Sequence, residues 1–141
     1  MPTFIKTGFW EKLQKGYKGY LNLDDLIIPY TEVKQNSLIT NNNQTGTTYT
    51  LALTDDYITC TNASDVTVTV PLNSVVAFPV GKVITIEQGG VGQVIISPYS
   101  GVTVNAMDNA TKSPGQYSAI QLVQKSVNVW TLIGATTWVD Y

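Results

Sequence analysis

Valine and threonine alternate through Asp65-Val66-Thr67-Val68-Thr69-Val70-Pro71. Val66, Val68 and Val70 point one way and Thr67 and Thr69 the other, the period of a strand with one buried face. Each residue from Val66 to Val70 is β-branched, and stiffness at χ1 favours a pleated strand over a helix. Pro71 ends the run, because it has no amide hydrogen to give to a ladder. Similar runs recur at intervals of about ten residues, the spacing of a β-sandwich or barrel. Tyr49, Leu51 and Leu53 alternate before a turn at Asp55-Asp56. Tyr57 to Thr61 makes the next strand, with Ile58 and Cys60 in phase, and Asn62-Ala63-Ser64-Asp65 turns the chain into the valine run. Ile84 and Ile86 share a face, as do Val94 and Ile96, and Val102 and Val104 carry a further strand. Asn105 to Gly115 reads as a polar loop, and Tyr117 to Val123 with Val127 to Ile133 as a closing hairpin around Lys125-Ser126. No segment after residue 30 has a helical period. The predicted fold class is all-β: an antiparallel, jelly-roll-like β-sandwich over residues 48–141, carrying an extended N-terminal arm.

That arm, residues 1–28, has a different pattern. Phe4, Phe9, Trp10, Tyr17, Tyr20 and Leu21 crowd it with apolar groups, and Lys6, Lys12, Lys15 and Lys18 supply half of the chain's lysines. Trp10, Leu13, Tyr17 and Leu21 fall near a helical stripe, but Gly16 and Gly19 would each cost about 1 kcal/mol inside a helix. An extended arm with at most a short helical turn is expected. It cannot bury its own aromatics, so it either folds back on its domain or docks on another protein. Docking is favoured, because Trp and Tyr are preferred interface anchors; Phe4, Phe9, Trp10, Leu13, Tyr17, Tyr20 and Leu21 are the predicted contacts. Residues 29–47 read as a linker, with turn chemistry at Asn36-Ser37 and Asn41-Asn42-Asn43-Gln44-Thr45-Gly46. Within it, Leu38-Ile39 is expected to be a brief strand or a subunit contact.

Composition narrows the function. A chain of 141 residues is one domain with room for a tail. Its charged fraction of 13% is low against about a quarter in ordinary domains. Neutral polar residues take the place of ions, and they are cheaper to desolvate where protein surfaces meet. The net charge is −2 and all eight basic residues are lysine, so nucleic-acid partners are not expected. The absence of histidine and a lone Cys60 remove His-based acid–base work, Ser-His and Cys-His pairs and the usual zinc ligand sets. Cys60 is expected to be a small core group. Gly89-Gly90-Val91-Gly92 lies between two strands, so hairpin-turn glycine is favoured over a phosphate cradle. Asp55 and Asp56 are expected to serve turn chemistry, since adjacent carboxylates in a strand point to opposite sides. The expectation is a non-enzyme with no catalytic residue, metal or cofactor. No apolar run approaches the ~20 residues of a membrane span and no apolar leader is visible, so neither membrane insertion nor a secretory signal is expected.

Seven pieces in order give the domain a more specific likeness: Tyr57-Ile58-Thr59-Cys60-Thr61-Asn62-Ala63, Val66-Thr67-Val68-Thr69-Val70-Pro71, Ala77-Phe78-Pro79-Val80-Gly81, Ile84-Thr85-Ile86, Gly90-Val91-Gly92-Gln93-Val94, Gln116-Tyr117-Ser118-Ala119 and Trp130-Thr131-Leu132-Ile133-Gly134. Across about residues 48–135 they resemble the small β-domain of tail-fibre, head-fibre and receptor-binding proteins of tailed bacteriophages. Phe4 to Lys12 and Lys18 to Leu23 likewise resemble the start of short phage virion proteins. The resemblance implies a homotrimer located in the virion and assembled in the host bacterial cytoplasm, with the arm bound to capsid or tail proteins. The chain lacks the long repetitive shaft of full fibres, which points to a short fibre or capsid decoration. A trimer also has a physical rationale, since closed cyclic symmetry covers edge strands without open-ended stacking. Tyr99, Tyr117, Trp130, Trp138 and Tyr141 could include a sugar-stacking platform for a host surface glycan. Trp130 fits the core. Trp138 and Tyr141, past the last strand, are the better contact candidates: a subunit interface is favoured, with glycan contact as the alternative.

Overall fold

The valine run forms a strand, β4 (Val66–Val70), with its valines fully buried and its threonines half-covered. The structure, a computed structural model, describes residues 38–134. The other strands are β1 (Asn41–Gln44), β2 (Thr48–Thr50), β3 (Tyr57–Cys60), β5 (Val83–Gln88), β6 (Val94–Pro98), β7 (Thr103–Asn105), β8 (Ala119–Ser126) and β9 (Val129–Gly134). A 3-10 turn at Met107–Asn109 interrupts the loop between β7 and β8. Of the two units into which the chain divides, Met1–Ile39 and Thr40–Tyr141, all described strands belong to the second. The predicted arm contacts Phe4, Phe9, Trp10, Leu13, Tyr17, Tyr20 and Leu21, with Trp138 and Tyr141, lie outside the described residues.

The strands make two sheets, one in the order β1-β3-β5-β8-β9-β7 and one in the order β2-β4-β6. The all-β expectation holds. The antiparallel, jelly-roll-like pairing does not. β1–β3, β3–β5, β2–β4, β4–β6 and β7–β9 are parallel, and only β5–β8 and β8–β9 are antiparallel. From β1 to β6 the chain alternates between sheets, so each return lies parallel to the strand before it. A parallel pair needs a long crossover. Here the crossover is the opposite sheet's strand with a corner at each end, and the product is a stack of three coils, β1–β2, β3–β4 and β5–β6.

Register fixes the corners. Tyr57 pairs with Thr85 and Val66 with Val94, so both sheets repeat every 28 residues between the second and third coils. The corner at residues 61–65 therefore has the same length as the corner at residues 89–93, and the two stack. Gly89 and Gly90 donate to the Cys60 carbonyl at 2.8 and 2.9 Å, and Gly92 donates to the Asn62 carbonyl at 3.0 Å. A Cβ on Gly90 would stand 2.3 Å from the Asn62 oxygen, and one on Gly92 1.9 Å from the Ser64 oxygen. The expected hairpin turn is not what these glycines make, because β5 and β6 lie in different sheets. They let one coil approach the next.

Two further expectations change. Asn41–Gln44, assigned to the linker, is strand β1, because its backbone continues the first coil beside β3. Leu38 and Ile39 carry no strand and are exposed. The closing hairpin is present, but its turn falls at Val127-Asn128, where Asn128 adopts φ 59°, and the register slips between Gln124 and Ser126. Asparagine tolerates this left-handed conformation better than most side chains. Inward residues of both sheets form one core, including Ile58, Val68, Ile86, Ile96, Ile120 and Leu132. Trp130 meets Phe78 edge-on, with ring centroids 5.2 Å apart.

Candidate interaction surfaces

Asp55 shows how the first coil is finished. Its side chain is 3% exposed, yet it is fully engaged. It accepts from the Ala52 amide at 2.7 Å, from Asn42 Nδ2 at 2.8 Å and from the Tyr49 hydroxyl at 2.8 and 3.1 Å. Gln44 Nε2 donates to Asn42 Oδ1 at 2.7 Å, which orients that amide. Burial, followed by the hydrogen bond to Asp55 and its charge, pushes the Tyr49 phenol up to about 12. The expected turn is there, since the Asp55 amide also donates to the Ala52 carbonyl at 3.1 Å. What the sequence pattern did not disclose is that this carboxylate ties β1, β2 and the following loop together. Asp56 points away and pairs with Lys82 at 3.0 Å, so the two acids do separate work.

A second polar cluster holds the loop after β7 to the third coil. Ser113 Oγ donates to Gln88 Oε1 at 2.6 Å and accepts from the Val94 amide at 2.8 Å. Gln88 Nε2 reaches the Gly90 and Val91 carbonyls at 3.1 Å each. Cys60 is buried as expected, and burial pushes its thiol up to about 11. Both polar clusters are internal and satisfied, the ordinary condition of buried polar groups. Neither one is open to a ligand.

The outward faces are. On the six-stranded sheet, Asn41, Tyr57, Thr85, Gln121 and Ile133 form one row across five strands. Gln121 Nε2 donates to Thr85 Oγ1 at 3.1 Å, and Thr59 Oγ1 to Asn41 Oδ1 at 3.0 Å. Tyr57 donates to Glu87 Oε2 at 2.5 Å, and that bond, ahead of burial and charge, raises its phenol above the usual tyrosine value. A shallow hollow of about 180 Å³ is lined by Thr85, Ala119, Ile120, Gln121, Ile133 and Gly134.

On the three-stranded sheet the rows are Thr48-Thr67-Ile95 and Thr50-Thr69-Ser97. At the end of the second row lies a groove of about 500 Å³, lined by Thr50, Thr69, Pro71, Leu72, Val75 and Tyr99. The Tyr99 amide donates to the Val70 carbonyl and its own carbonyl accepts from Val102, both at 2.9 Å. Gly101, at φ 94°, completes this turn and leaves room for Leu72.

No known protein family, curated protein or solved structure matches the chain. The surfaces therefore have to be judged on their own chemistry. Among the described sugar-stacking candidates, Tyr99 lines the groove, Tyr117 is exposed with φ 69°, and Trp130 is in the core as expected. Among the described residues no cluster of His, Cys, Asp or Glu could hold a metal ion, and no helix is long and apolar enough to cross a membrane. The Thr50–Tyr99 groove was missed because its residues come from two strands and two loops. Its one signal in sequence was the outward threonine in each of two alternating runs.

Proposed function

We propose that this chain is a non-enzymatic structural protein of a tailed-bacteriophage particle. In this reading it is a short trimeric head or tail fibre whose residues 1–28 bind the particle and whose β-domain is displayed. The observation that carries the reading is the surface of the described unit: two outward sheet faces of mainly hydroxyl, amide and β-branched side chains over one apolar core. Such faces lose water at low cost and suit lateral association of identical subunits. The seven sequence pieces that resemble phage fibre domains, and an arm rich in aromatic anchors, support the same assignment.

The decisive experiment is immunoelectron microscopy of the particle with antibodies to residues 48–141, expected to label a fixed position on head or tail. Particles that carry no label would sink the assignment. Deleting residues 1–28 is expected to leave a folded β-domain that no longer incorporates. Light scattering of the purified chain is expected to give three times the chain mass of 15.4 kDa, and a monomer would remove the trimer.

A further inference from the structure

The groove beside β2 and β4 combines two kinds of wall. Pro71, Leu72 and Val75 supply apolar C–H surface, and Thr50, Thr69 and Tyr99 supply hydroxyls. Among the described residues, no titratable side chain other than the Tyr99 phenol lines it, so none of these pairs with a charged ligand. Its volume falls in the range of small-molecule sites, roughly 300–1,000 Å³. Tyr99 is 56% exposed, but hydrogen bonds on both sides of its residue fix the backbone that carries it. Thr50 and Thr69 are paired across neighbouring parallel strands, which places their side chains side by side on the outward face. A site whose parts are held before the ligand arrives gives up less entropy on binding.

We propose that this groove is a binding site for an uncharged saccharide, one ring stacking on Tyr99 while Thr50 and Thr69 hydrogen-bond its rim. A pyranose carries C–H groups on one face and hydroxyls around its edge, the same division as the groove. A purely apolar peptide would leave the threonine hydroxyls without partners, which is costly once they are desolvated. The site is built from residues of the described domain. It also holds wherever on a particle the chain is anchored.

The test uses the full chain on an array of neutral and anionic oligosaccharides, followed by titration calorimetry of the strongest neutral ligand. Neutral ligands are expected to be retained. Tyr99→Ala is expected to weaken binding about tenfold or more, equivalent to one aromatic face. Tyr99→Phe keeps the stack and stays within about threefold, and Thr69→Val loses about fivefold, equivalent to one hydrogen bond. Tyr117→Asn, whose side chain lies outside the groove lining, is expected to bind as the parent does. Should Tyr99→Ala melt early, Val75→Asp at an exposed wall position replaces it and is expected to abolish binding. Retention of anionic glycans alone, of no glycan at all, or of neutral glycans unaffected by Tyr99→Ala and Val75→Asp would overturn the site. So would Tyr99-dependent pairing of two copies of the chain in place of sugar binding. Labelling of particles is a separate measurement, so either idea can fail without the other.

Discussion

Residues 41–98 wind as coils, whereas residues 119–134 fold back as a hairpin, and the two regions bring strands together by different means. In the hairpin, β8 meets β9 through a short turn, so its register is set locally. In the coils, each strand pairs with one a whole turn away, as Ile58 does with Ile86 and Val68 with Ile96. Local pairing concentrates its demands on the residues of one turn, here Asn128. Coil pairing moves the demand to the corners, where backbone stacks on backbone and a single added carbon meets an oxygen. Tolerance to mutation is therefore distributed differently in the two regions, and this can be measured.

Trp130 should matter most, because it belongs to the hairpin yet packs on Phe78, which follows the second coil. Trp130→Ala is expected to cost about 3–5 kcal/mol in urea denaturation. One cooperative transition is expected in the parent chain's described domain, and two separate transitions would show that the regions do not share a core. Next comes Gly92→Ala, expected to cost about 3 kcal/mol because the new carbon meets the Ser64 carbonyl. Gly115→Ala, with nothing within 4 Å, should stay within about 0.5 kcal/mol. Equal effects at the two glycines would end the distinction between stacked corner and open loop.

Asp55→Ala is expected to cost about 1–3 kcal/mol by stranding the donors of Asn42, Tyr49 and Ala52. Its effect should stay local, with faster amide exchange at residues 41–52 and little change at 119–134. Exchange that accelerates equally in the hairpin would contradict this. The smallest effect is the dependence on alkaline pH. Tyr49 holds its proton more tightly folded than unfolded, so its contribution is intact below pH 10 and is lost as pH rises through about 12. Tyr57 shifts the same way. Thermal melts from pH 9 to 12 should therefore show stability falling, with a shallower fall in Tyr49→Phe.

The alternating patterns located most of the strands and the buried side of each, and Trp130, Cys60 and the valines of β4 lie where alternation puts them. Pairing direction was not legible. A strand with one buried face has the same period whether its neighbour runs parallel or antiparallel. The 28-residue repeat left only faint marks, such as Ile58 and Ile86 or Val66 and Val94, while Cys60 against Gln88 shares no chemistry. The strand at Asn41–Gln44 was hidden because asparagine is depleted in strands and signals turns. Here its side chains are satisfied by Tyr49, Asp55 and Thr59, which lie 7, 13 and 18 residues further along the chain. The groove was illegible for a related reason, since its six residues converge only once the coils are stacked.

The equal step from the second coil to the third also makes this part of the domain a ruler. Successive strands of a sheet are separated by about 4.8 Å, so one 28-residue unit is a fixed increment of length. Copying that unit in frame would add one rung to each sheet and repeat the same neighbour contacts, provided the stacked corner kept its glycines. The reach of such a protein could grow in whole rungs, without redesign of either end.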